Sequence, residues 1–372
     1  MHTYIIAEIG QNHNGDVELA KKLIDVAAMP IFEHFTGVKF PGVDAVKFTK
    51  RDLAEEMTDE AGRLPYDSVH SFGKTYLEHR RALELSIEQH VELEQYARAK
   101  GLDFIETLCS PGCLKLLDHV RVDAIKIASR DVTHVPLLEV LGELDHRIII
   151  STGMCSMDEL RRALQILSRR PKEIAILHCV SRYPALYEDM NLRSIPYLMK
   201  QFPEHQIGLS DHSLGIALPV AAVTLGASII EKHITLNREM KGSDHAGSVG
   251  PDGLWRIVRD VRGVETALGT ETKEFNPVVR RTQEKLGRSL AVRTVLATGE
   301  TLEEEHLCML SPGTGLTWDD RCAVVGKRAV RNIPARSLIH KVDFECETET
   351  ETETLPPSAK PLEWSSRTSM VS

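Results

Sequence analysis

The sequence of 372 residues lacks the features that several large protein classes require. It contains no continuous apolar run of about 18 residues, the length that a membrane-spanning helix needs. Its 45 basic and 54 acidic residues give a formal net charge of −9, which argues against general nucleic-acid binding. The N-terminal run MHTYIIAEIG has no basic region followed by a long apolar stretch, so no signal peptide is expected.

Cysteine is sparse and its spacing is irregular. There are seven cysteines and no CxxC pair, and no second pair accompanies Cys109 and Cys113. A zinc knuckle is therefore not predicted. Unpaired cysteines in odd number are typical of a reducing compartment, and we expect a cytoplasmic protein.

Strand-like and helix-like patterns alternate over the first 270 residues. Strands are predicted over the runs YIIAEI, DAVKFTK, LDFIETL, DAIKIAS, RIIISTG, EIAILHC, HQIGLSDH and SIIEKHI. Helices are predicted over residues 17–28, 83–100, 137–144, 157–168, 192–201, 215–224 and 254–268. Residues 29–42 are interpreted as an insertion and residues 51–82 as loop-like, while Gly101 is expected to end the helix before it. About eight strand–helix units predict an α/β fold, a (β/α)8 TIM barrel. A doubly wound sheet fits less well, because no GxGxxG follows the first strand.

The texture of the sequence changes after residue 270. We predict a TIM-barrel domain over residues 1–270, a linker over 271–287, a small mostly-β domain over 288–345 and a disordered acidic tail over 346–372. The small domain is predicted from short β-like runs that turn signals separate, and the tail from the repeated CETETETET composition.

Two histidines follow two successive predicted strands. His212 ends the run IGLSDH and His233 ends IIEKH, with Asp244 in a nearby Gly/Ser-rich loop. The carboxyl ends of barrel strands meet at one mouth, so imidazoles placed there can bind a divalent metal. The alternative is that each histidine packs locally against backbone groups.

Two lysines lie inside apolar strands, Lys47 in DAVKF and Lys126 in AIKIA. Lysine is rarely buried without an anionic partner, so we expect these ammonium groups at the barrel mouth. Together with hydroxyl side chains they can hold a phosphate or a phospho-carboxylate. Two other interpretations compete with this one: an ion pair between the lysines and Glu8, and Schiff-base chemistry of a buried lysine.

Eight motifs follow one another along the predicted barrel: IIAEIGQNHNGD, DAVKF, AIKIAS, ISTGM, LHCVSRYPA, IGLSDHS, EKHITL and GSDHAGS. With these motifs the chain resembles the sialic acid synthase (N-acetylneuraminate synthase) family, the phosphoenolpyruvate-dependent nonulosonate synthases. The runs RSLAV, ATGETL and SPGTGL are similar to landmarks of the antifreeze-like (SAF) domain that accompanies this barrel. The resemblance covers residues 3–344.

The resemblance implies a transferase that condenses phosphoenolpyruvate with a hexosamine aldehyde, typically N-acetylmannosamine, to a nine-carbon 2-keto-3-deoxy acid and phosphate, with C–O cleavage. It implies a divalent metal, usually Mn²⁺, bound by His212 and His233. The implied phosphoenolpyruvate site comprises Lys47, Lys126, Thr107, Ser129, Ser151 and Ser210. The implied sugar site comprises Glu8, Thr49, Ser181, Tyr183 and Asp244, and the implied catalytic residues are Asp131, Glu8 and Lys126. It also implies a homodimer in which the small domain caps the partner's barrel.

Three positions depart from the family pattern. Thr49 replaces a usual Gln, Asp131 replaces a usual Glu, and Ser311 stands where the SAF domain usually supplies an Arg. These departures leave the phosphoenolpyruvate and metal residues intact and leave the acceptor sugar open. Two other functions stay open as well: a binding or regulatory barrel without turnover, and another metal-dependent barrel enzyme such as an aldolase.

Overall fold

The computed structural model describes residues 2–32 and 37–345. The chain divides into two units, Met1–Thr270 and Glu271–Ser372. The predicted tail over 346–372 lies outside the described residues. Within the described residues, no helix combines the length and the apolar character that crossing a membrane would require.

The strands of the first unit confirm the predicted barrel. They are β1 Tyr4–Gly10, β2 Ile31–Phe32, β3 Lys39–Phe40, β4 Ala45–Lys50, β5 Asp103–Leu108, β6 Ala124–Ile127, β7 Ile148–Ser151, β8 Ile174–Cys179, β9 Gln206–Asp211 and β10 Ile229–His233. Among the described residues, eight strands form a closed parallel barrel in the order β1, β10, β9, β8, β7, β6, β5, β4. The short strands β2 and β3 form a separate antiparallel pair inside the predicted insertion.

The helices follow the predicted order with two corrections. They are α1 Val17–Ala28, α2 Leu53–Glu56, α3 Asp59–Arg63, α4 Tyr76–Ala82, α5 Ile87–Ala99, α6 Val135–Glu143, α7 Met157–Leu167, α8 Ser194–Gln201, α9 Ala217–Thr224 and α10 Pro251–Ala267. The prediction that residues 51–82 are loop-like was wrong, because side-chain caps begin three short helices there. Helix α5 begins at Ile87 rather than residue 83, since Ser86 and Gln89 form a capping box. Gly101 follows α5 with a φ of +80°, as its predicted role requires.

The strands alternate between an inner and an outer face. On β1, Ile5, Ala7 and Ile9 pack in the layer between barrel and helices, whereas Ile6 joins a second apolar cluster inside the barrel. The inner cluster contains Ile6, Ala45, Ile105, Ala124, Ile149, Ala175, Leu177 and Ile229. Because side chains repeat every second residue, the next inward position on each strand lies one step closer to the carboxyl-end mouth. Apolar side chains therefore fill the barrel beneath the mouth, and the inward polar residues lie above them.

The second unit is small and has its own core. Helix α11 Arg280–Leu286 lies within the segment predicted as a linker, and β11 Ser289–Val292 pairs antiparallel with β12 Leu307–Leu310. Leu290, Val292, Leu302, Ile333 and Ile339 are buried in its apolar cluster. Among the described residues, the other β-like runs contribute isolated bridges, such as Ala329 to Phe344, rather than strands.

Candidate active site

A cavity of about 460 Å³ opens at the carboxyl ends of the barrel strands. Its size lies in the range that holds a small-molecule ligand. The predicted residues that line it are Glu8, Lys47, Thr49, Thr107, Lys126, Ser129, Ser151, Ser181, Tyr183, Ser210, His212, His233 and Asp244. The barrel thus brings together side chains that are spread over more than 230 positions of sequence.

Five side chains form what we call the cavity floor: Glu8, Lys47, Lys126, Ser210 and Glu231. Lys47 Nζ lies 2.7 Å from Glu8 Oε2 and 3.8 Å from Glu231 Oε2. Lys126 Nζ lies 3.2 Å from Glu231 Oε1, which also accepts a 2.9 Å hydrogen bond from the Ser210 hydroxyl. All five side chains are buried. Each ammonium group has a carboxylate of the protein within ion-pair distance, which offsets its charge inside the barrel.

The two carboxylates of the cavity floor differ in proton affinity. Burial raises the pKa of Glu8 to about 7, although Lys47 opposes the shift. Burial acts in the same direction on Glu231, but Lys126 and Lys47 outweigh it and lower the pKa of Glu231 to about 2. Glu231 is therefore ionised at neutral pH, while Glu8 can exchange a proton there.

Gly10 makes room for the Glu8 carboxylate. It has a φ of +54°, and a Cβ atom at this position would lie 2.8 Å from Glu8 Oε1. Glycine adopts this conformation without strain and leaves the space open. The glycine of the AEIG motif thus fixes the place of a site carboxylate.

Hydroxyl groups supply further donors beside the lysines. Lys47 Nζ donates to Thr107 Oγ1 at 3.0 Å, and the backbone N–H of Gly153 donates to Ser129 Oγ at 3.0 Å. The buried Ser151 hydroxyl has no hydrogen-bond partner among the described residues. Leaving a buried hydroxyl unpaired is energetically costly, and a bound anion would supply the missing hydrogen-bond partner of Ser151.

The two predicted metal-binding histidines lie side by side, with ring centroids 5.3 Å apart. The backbone carbonyl of Val180 lies 2.8 Å from His212 Nδ1, so Nδ1 carries the hydrogen and Nε2 is left as a ligand atom. Burial lowers the pKa of His233 to about 3, and its Nδ1 is buried without a hydrogen-bond partner among the described residues. The His233 ring is therefore neutral and can present a nitrogen to a metal. Burial also acts to lower the pKa of His212, but the neighbouring Cys179 thiol outweighs burial and raises that pKa.

One carboxylate lies close to this pair. Asp244 Oδ2 is 4.0 Å from His233 Nδ1. Within the described part of the chain, no group of three or more His, Cys, Asp or Glu side chains is arranged to hold a metal by itself. Two imidazoles, with Asp244 nearby, fit a catalytic ion that keeps open positions for substrate rather than a closed structural site.

Asp244 belongs to what we call the cavity rim, formed by Gln11, Thr49, Arg80, Ser243 and Asp244. Gln11 Nε2 donates to both Asp244 carboxylate oxygens at 3.3 and 3.4 Å, and Ser243 Oγ donates at 2.7 Å. Arg80 Nη1 donates to Gln11 Oε1 at 3.0 Å. The segments after β1, β4 and β10 are thereby connected at the mouth.

Asp131 is the predicted catalytic residue that the structure does not bring into the cavity lining. The 3-10 turn Ser129–Asp131 directs Ser129 and Arg130 to the cavity. The Asp131 carboxylate is buried and lies 3.5 Å from the Arg130 guanidinium. Burial raises the pKa of Asp131 and Arg130 opposes that shift. Its catalytic role stays a prediction.

Comparisons with known proteins agree with this geometry. A model of the NeuB family matches residues 38–273. The chain belongs to the NeuB family. The N-acetylneuraminate-9-phosphate synthase of Mus musculus is 39% identical over 93% of this chain and 94% of that protein. The N,N'-diacetyllegionaminic acid synthase of Legionella pneumophila is 35% identical over 91% of this chain and 94% of that protein.

A solved structure of the same kind is similar in fold. The N-acetylneuraminic acid synthetase of Leptospira borgpetersenii, determined with citrate, superposes with a TM-score of 0.63 at 30% identity. The match covers 76% of this chain and 90% of that one. The predicted family resemblance is therefore confirmed.

Several site residues of this NeuB chain were missed from the sequence. Glu231 is two positions before His233 on β10, and the alternation of the strand would have identified it as inward-facing. Cys179, whose Sγ lies 3.8 Å from His212 Nδ1, is two positions after the inward-facing Leu177, so the same alternation would have identified it. For Gln11 and Arg80 no periodic signal existed, because they lie outside the strands.

Proposed function

We propose that this chain condenses phosphoenolpyruvate with the aldehyde of a hexosamine resembling N-acetylmannosamine. The products are a nine-carbon 2-keto-3-deoxy nonulosonic acid and phosphate, which makes the protein a transferase. Membership of the NeuB family supports the reaction class, since its relatives are named as synthases of N-acetylneuraminate 9-phosphate and diacetyllegionaminic acid.

One observation carries the proposal: two buried lysines at the ends of barrel strands, beside a histidine pair in the same cavity. The ammonium groups of Lys47 and Lys126, with the Thr107, Ser151 and Ser210 hydroxyls nearby, suit the phosphate and carboxylate of phosphoenolpyruvate. An anion such as phosphoenolpyruvate, bound in the cavity floor beside Glu8, favours the protonated form of the Glu8 carboxyl. The binding of phosphoenolpyruvate and the proton content of Glu8 are thus coupled.

The acid–base role fits Glu8 better than Asp131. Glu8 lines the cavity and has a pKa of about 7, which suits proton transfer at neutral pH. Asp131 lies behind Arg130 and does not line the cavity. We therefore assign proton transfer to Glu8 and a supporting role, holding Arg130, to Asp131.

A divalent metal, which we expect to be Mn²⁺, is held in this proposal by His212 and His233. Bound there, it supplies Lewis-acid polarisation of the sugar aldehyde. Asp244, Tyr183 and Ser181 then bind the sugar hydroxyls on the same side of the cavity. The Tyr183 ring lies over His212 with centroids 4.0 Å apart, so it covers the imidazole and orients whatever lies above it.

Three further features belong to the proposal. The second unit is an antifreeze-like SAF domain, and the protein is a homodimer in which that domain caps the partner's barrel; the SAF-like motifs support both. A cytoplasmic location fits the described cysteines, which are all free.

The direct test is phosphate release by the full-length protein with phosphoenolpyruvate, Mn²⁺ and a panel of hexosamines, with product masses determined. We expect release only when a sugar is present, together with a nine-carbon acid. Phosphate release without sugar, or cleavage of a sugar substrate without phosphoenolpyruvate, would contradict the proposal in favour of a different barrel enzyme.

A further inference from the structure

A buried ion pair joins the two strands that lead to the histidine pair. Asp211 and Lys232 are paired residues of β9 and β10, and each directly precedes a histidine, His212 or His233. Lys232 Nζ donates to Asp211 Oδ2 at 2.6 Å, and neither side chain has any exposed surface. The histidines line the cavity, whereas Asp211 and Lys232 do not. Because successive side chains of a strand point to opposite faces, the ion pair lies on the far side of the barrel wall from the cavity.

The Lys232 ammonium group also holds the segment that follows β9. It donates to the backbone carbonyl of Ser213 at 2.6 Å, and the Ser213 backbone N–H donates to Asp211 Oδ1 at 2.9 Å. The two residues that flank His212 are thus bound to one ammonium group, which belongs to the residue before His233. A single side chain therefore fixes the backbone on both sides of one histidine and is attached next to the other.

Stability alone does not explain this ion pair. The preceding outward residues of the same two strands, Leu209 and Ile230, are apolar and belong to the layer between barrel and helices. Lysine is almost never fully buried, and a buried ion pair is often no more stabilising than apolar side chains of similar volume. What the pair adds to apolar packing is a set of directional bonds with fixed lengths.

The histidine on β10 depends most on a fixed backbone. The His212 ring is held by the Val180 carbonyl 2.8 Å from its Nδ1, whereas His233 Nδ1 has no hydrogen-bond partner among the described residues. The backbone of His233 is bound instead, since its carbonyl accepts from the Val249 N–H at 2.9 Å. A metal site requires ligand distances within about 0.2 Å of their ideal values, so the position of the strand ends affects binding.

We propose that Asp211 and Lys232 are positioning residues, which hold His212 and His233 at the separation that binds a divalent metal. This inference rests on the proposed function, which places the metal at the histidine pair. The ion pair acts through the backbone of β9 and β10 and touches neither the metal nor a substrate.

The test measures the Mn²⁺ affinity of the full-length protein without substrates, by electron paramagnetic resonance of the unbound ion. Lys232→Met leaves the buried Asp211 carboxylate without its 2.6 Å partner, so this variant should also lose stability. The double variant, Lys232→Met with Asp211→Asn, removes both charges and should regain most of the lost melting temperature. Its Kd for Mn²⁺ should nevertheless be about 10- to 100-fold above that of the wild type, as for other residues that orient metal ligands.

A second buried lysine provides a matched control. Lys50 at the end of β4 pairs with Glu84 and donates to the backbone carbonyl of Leu85 at 2.7 Å, so it too holds one carboxylate and one carbonyl. Lys50→Met with Glu84→Gln removes an ion pair of the same kind from a different strand. This control should leave the Kd for Mn²⁺ unchanged.

Phosphoenolpyruvate binding, measured by calorimetric titration, separates positioning from a general loss of structure. In the double variant it should weaken far less than Mn²⁺ binding, because Lys47 and Lys126 lie on other strands. Wild-type Mn²⁺ affinity in the double variant, an equal loss in the Lys50 control, or equal losses of Mn²⁺ and phosphoenolpyruvate would overturn the positioning role. Failure of the wild type itself to bind Mn²⁺ would contradict the metal site of the proposed function, and the positioning role with it.

Discussion

In the cavity floor every charged side chain is buried on a barrel strand beside an opposite charge, whereas the cavity rim is partly exposed and leaves Arg80 without a carboxylate. A buried charge without a partner costs several kcal/mol, so single changes in the cavity floor are severe. The cavity rim is partly exposed, so single changes there are expected to cost less. In the proposed function, the cavity floor binds the donor, phosphoenolpyruvate, and the cavity rim binds the acceptor.

The largest effect is expected where the two regions meet, at the histidine pair. His233→Ala, or removal of metal by EDTA, should lower kcat by at least about a hundredfold, because polarisation of the aldehyde supplies several kcal/mol. Steady-state assays with and without added Mn²⁺ measure this. His119→Ala, at an exposed histidine, is the control. Full activity of His233→Ala in the presence of chelator would contradict the proposed metal site.

The cavity floor itself is tested by Lys126→Met. This change removes one cation and leaves Glu231 without its 3.2 Å partner, so phosphoenolpyruvate should bind about 10- to 150-fold more weakly. Calorimetric titration gives the Kd, and Lys100→Met, outside the cavity, should leave it unchanged. Trapping a borohydride-reduced adduct on Lys126 would point instead to Schiff-base catalysis.

The proton affinity of Glu8 predicts a pH effect on stability. Burial raises the pKa of Glu8 from 4.5 to about 7, so the folded state binds the proton more tightly than the unfolded state. The resulting stabilisation is complete below about pH 4.5 and is lost as pH rises through about 7. Between about pH 5 and pH 7, the free energy of unfolding should fall by about 2 kcal/mol more in the wild type than in Glu8→Gln.

Chemical denaturation at the two pH values measures this difference. Glu188→Gln, at an exposed glutamate, should show the wild-type pH dependence. An identical pH dependence in Glu8→Gln and the wild type would mean that Glu8 titrates as an ordinary carboxyl.

The smallest effect is expected in the cavity rim. Thr49→Gln restores the longer amide that the family pattern has at this position, and should lower KM for N-acetylmannosamine about three- to tenfold, the value of a neutral hydrogen bond. KM for phosphoenolpyruvate should not change. If only the KM for phosphoenolpyruvate changed, the proposed division of roles between the cavity floor and the cavity rim would be wrong.

The cavity floor was largely predictable from the sequence because the strands are regular. Lysines within apolar strands, such as Lys47, must face the mouth or an anion, and both predicted lysines do. Glu231 follows the same alternation, two positions before His233 on β10. The barrel was predictable for the same reason, since strand and helix patterns repeat along the chain.

The cavity rim could not be predicted, because its contacts depend on segments distant in sequence. Arg80 meets Gln11 across 69 residues, and Gln11 meets Asp244 across 233. Short helices between residues 51 and 82 depend on single caps such as Thr75 rather than on periodicity. Asp131 was placed by family pattern, but the direction of its side chain depends on a 3-10 turn that the pattern does not specify.

The central claim is that the lysine-lined cavity floor binds phosphoenolpyruvate for condensation with a sugar and release of its phosphate by C–O cleavage. The most direct measurement uses phosphoenolpyruvate labelled with oxygen-18 at the bridging position, with a hexosamine acceptor and Mn²⁺, and mass spectrometry of both products. The account predicts that the released phosphate carries the label and that the nine-carbon acid does not. Label retained in the acid, or labelled phosphate formed without a nine-carbon acid, would contradict it.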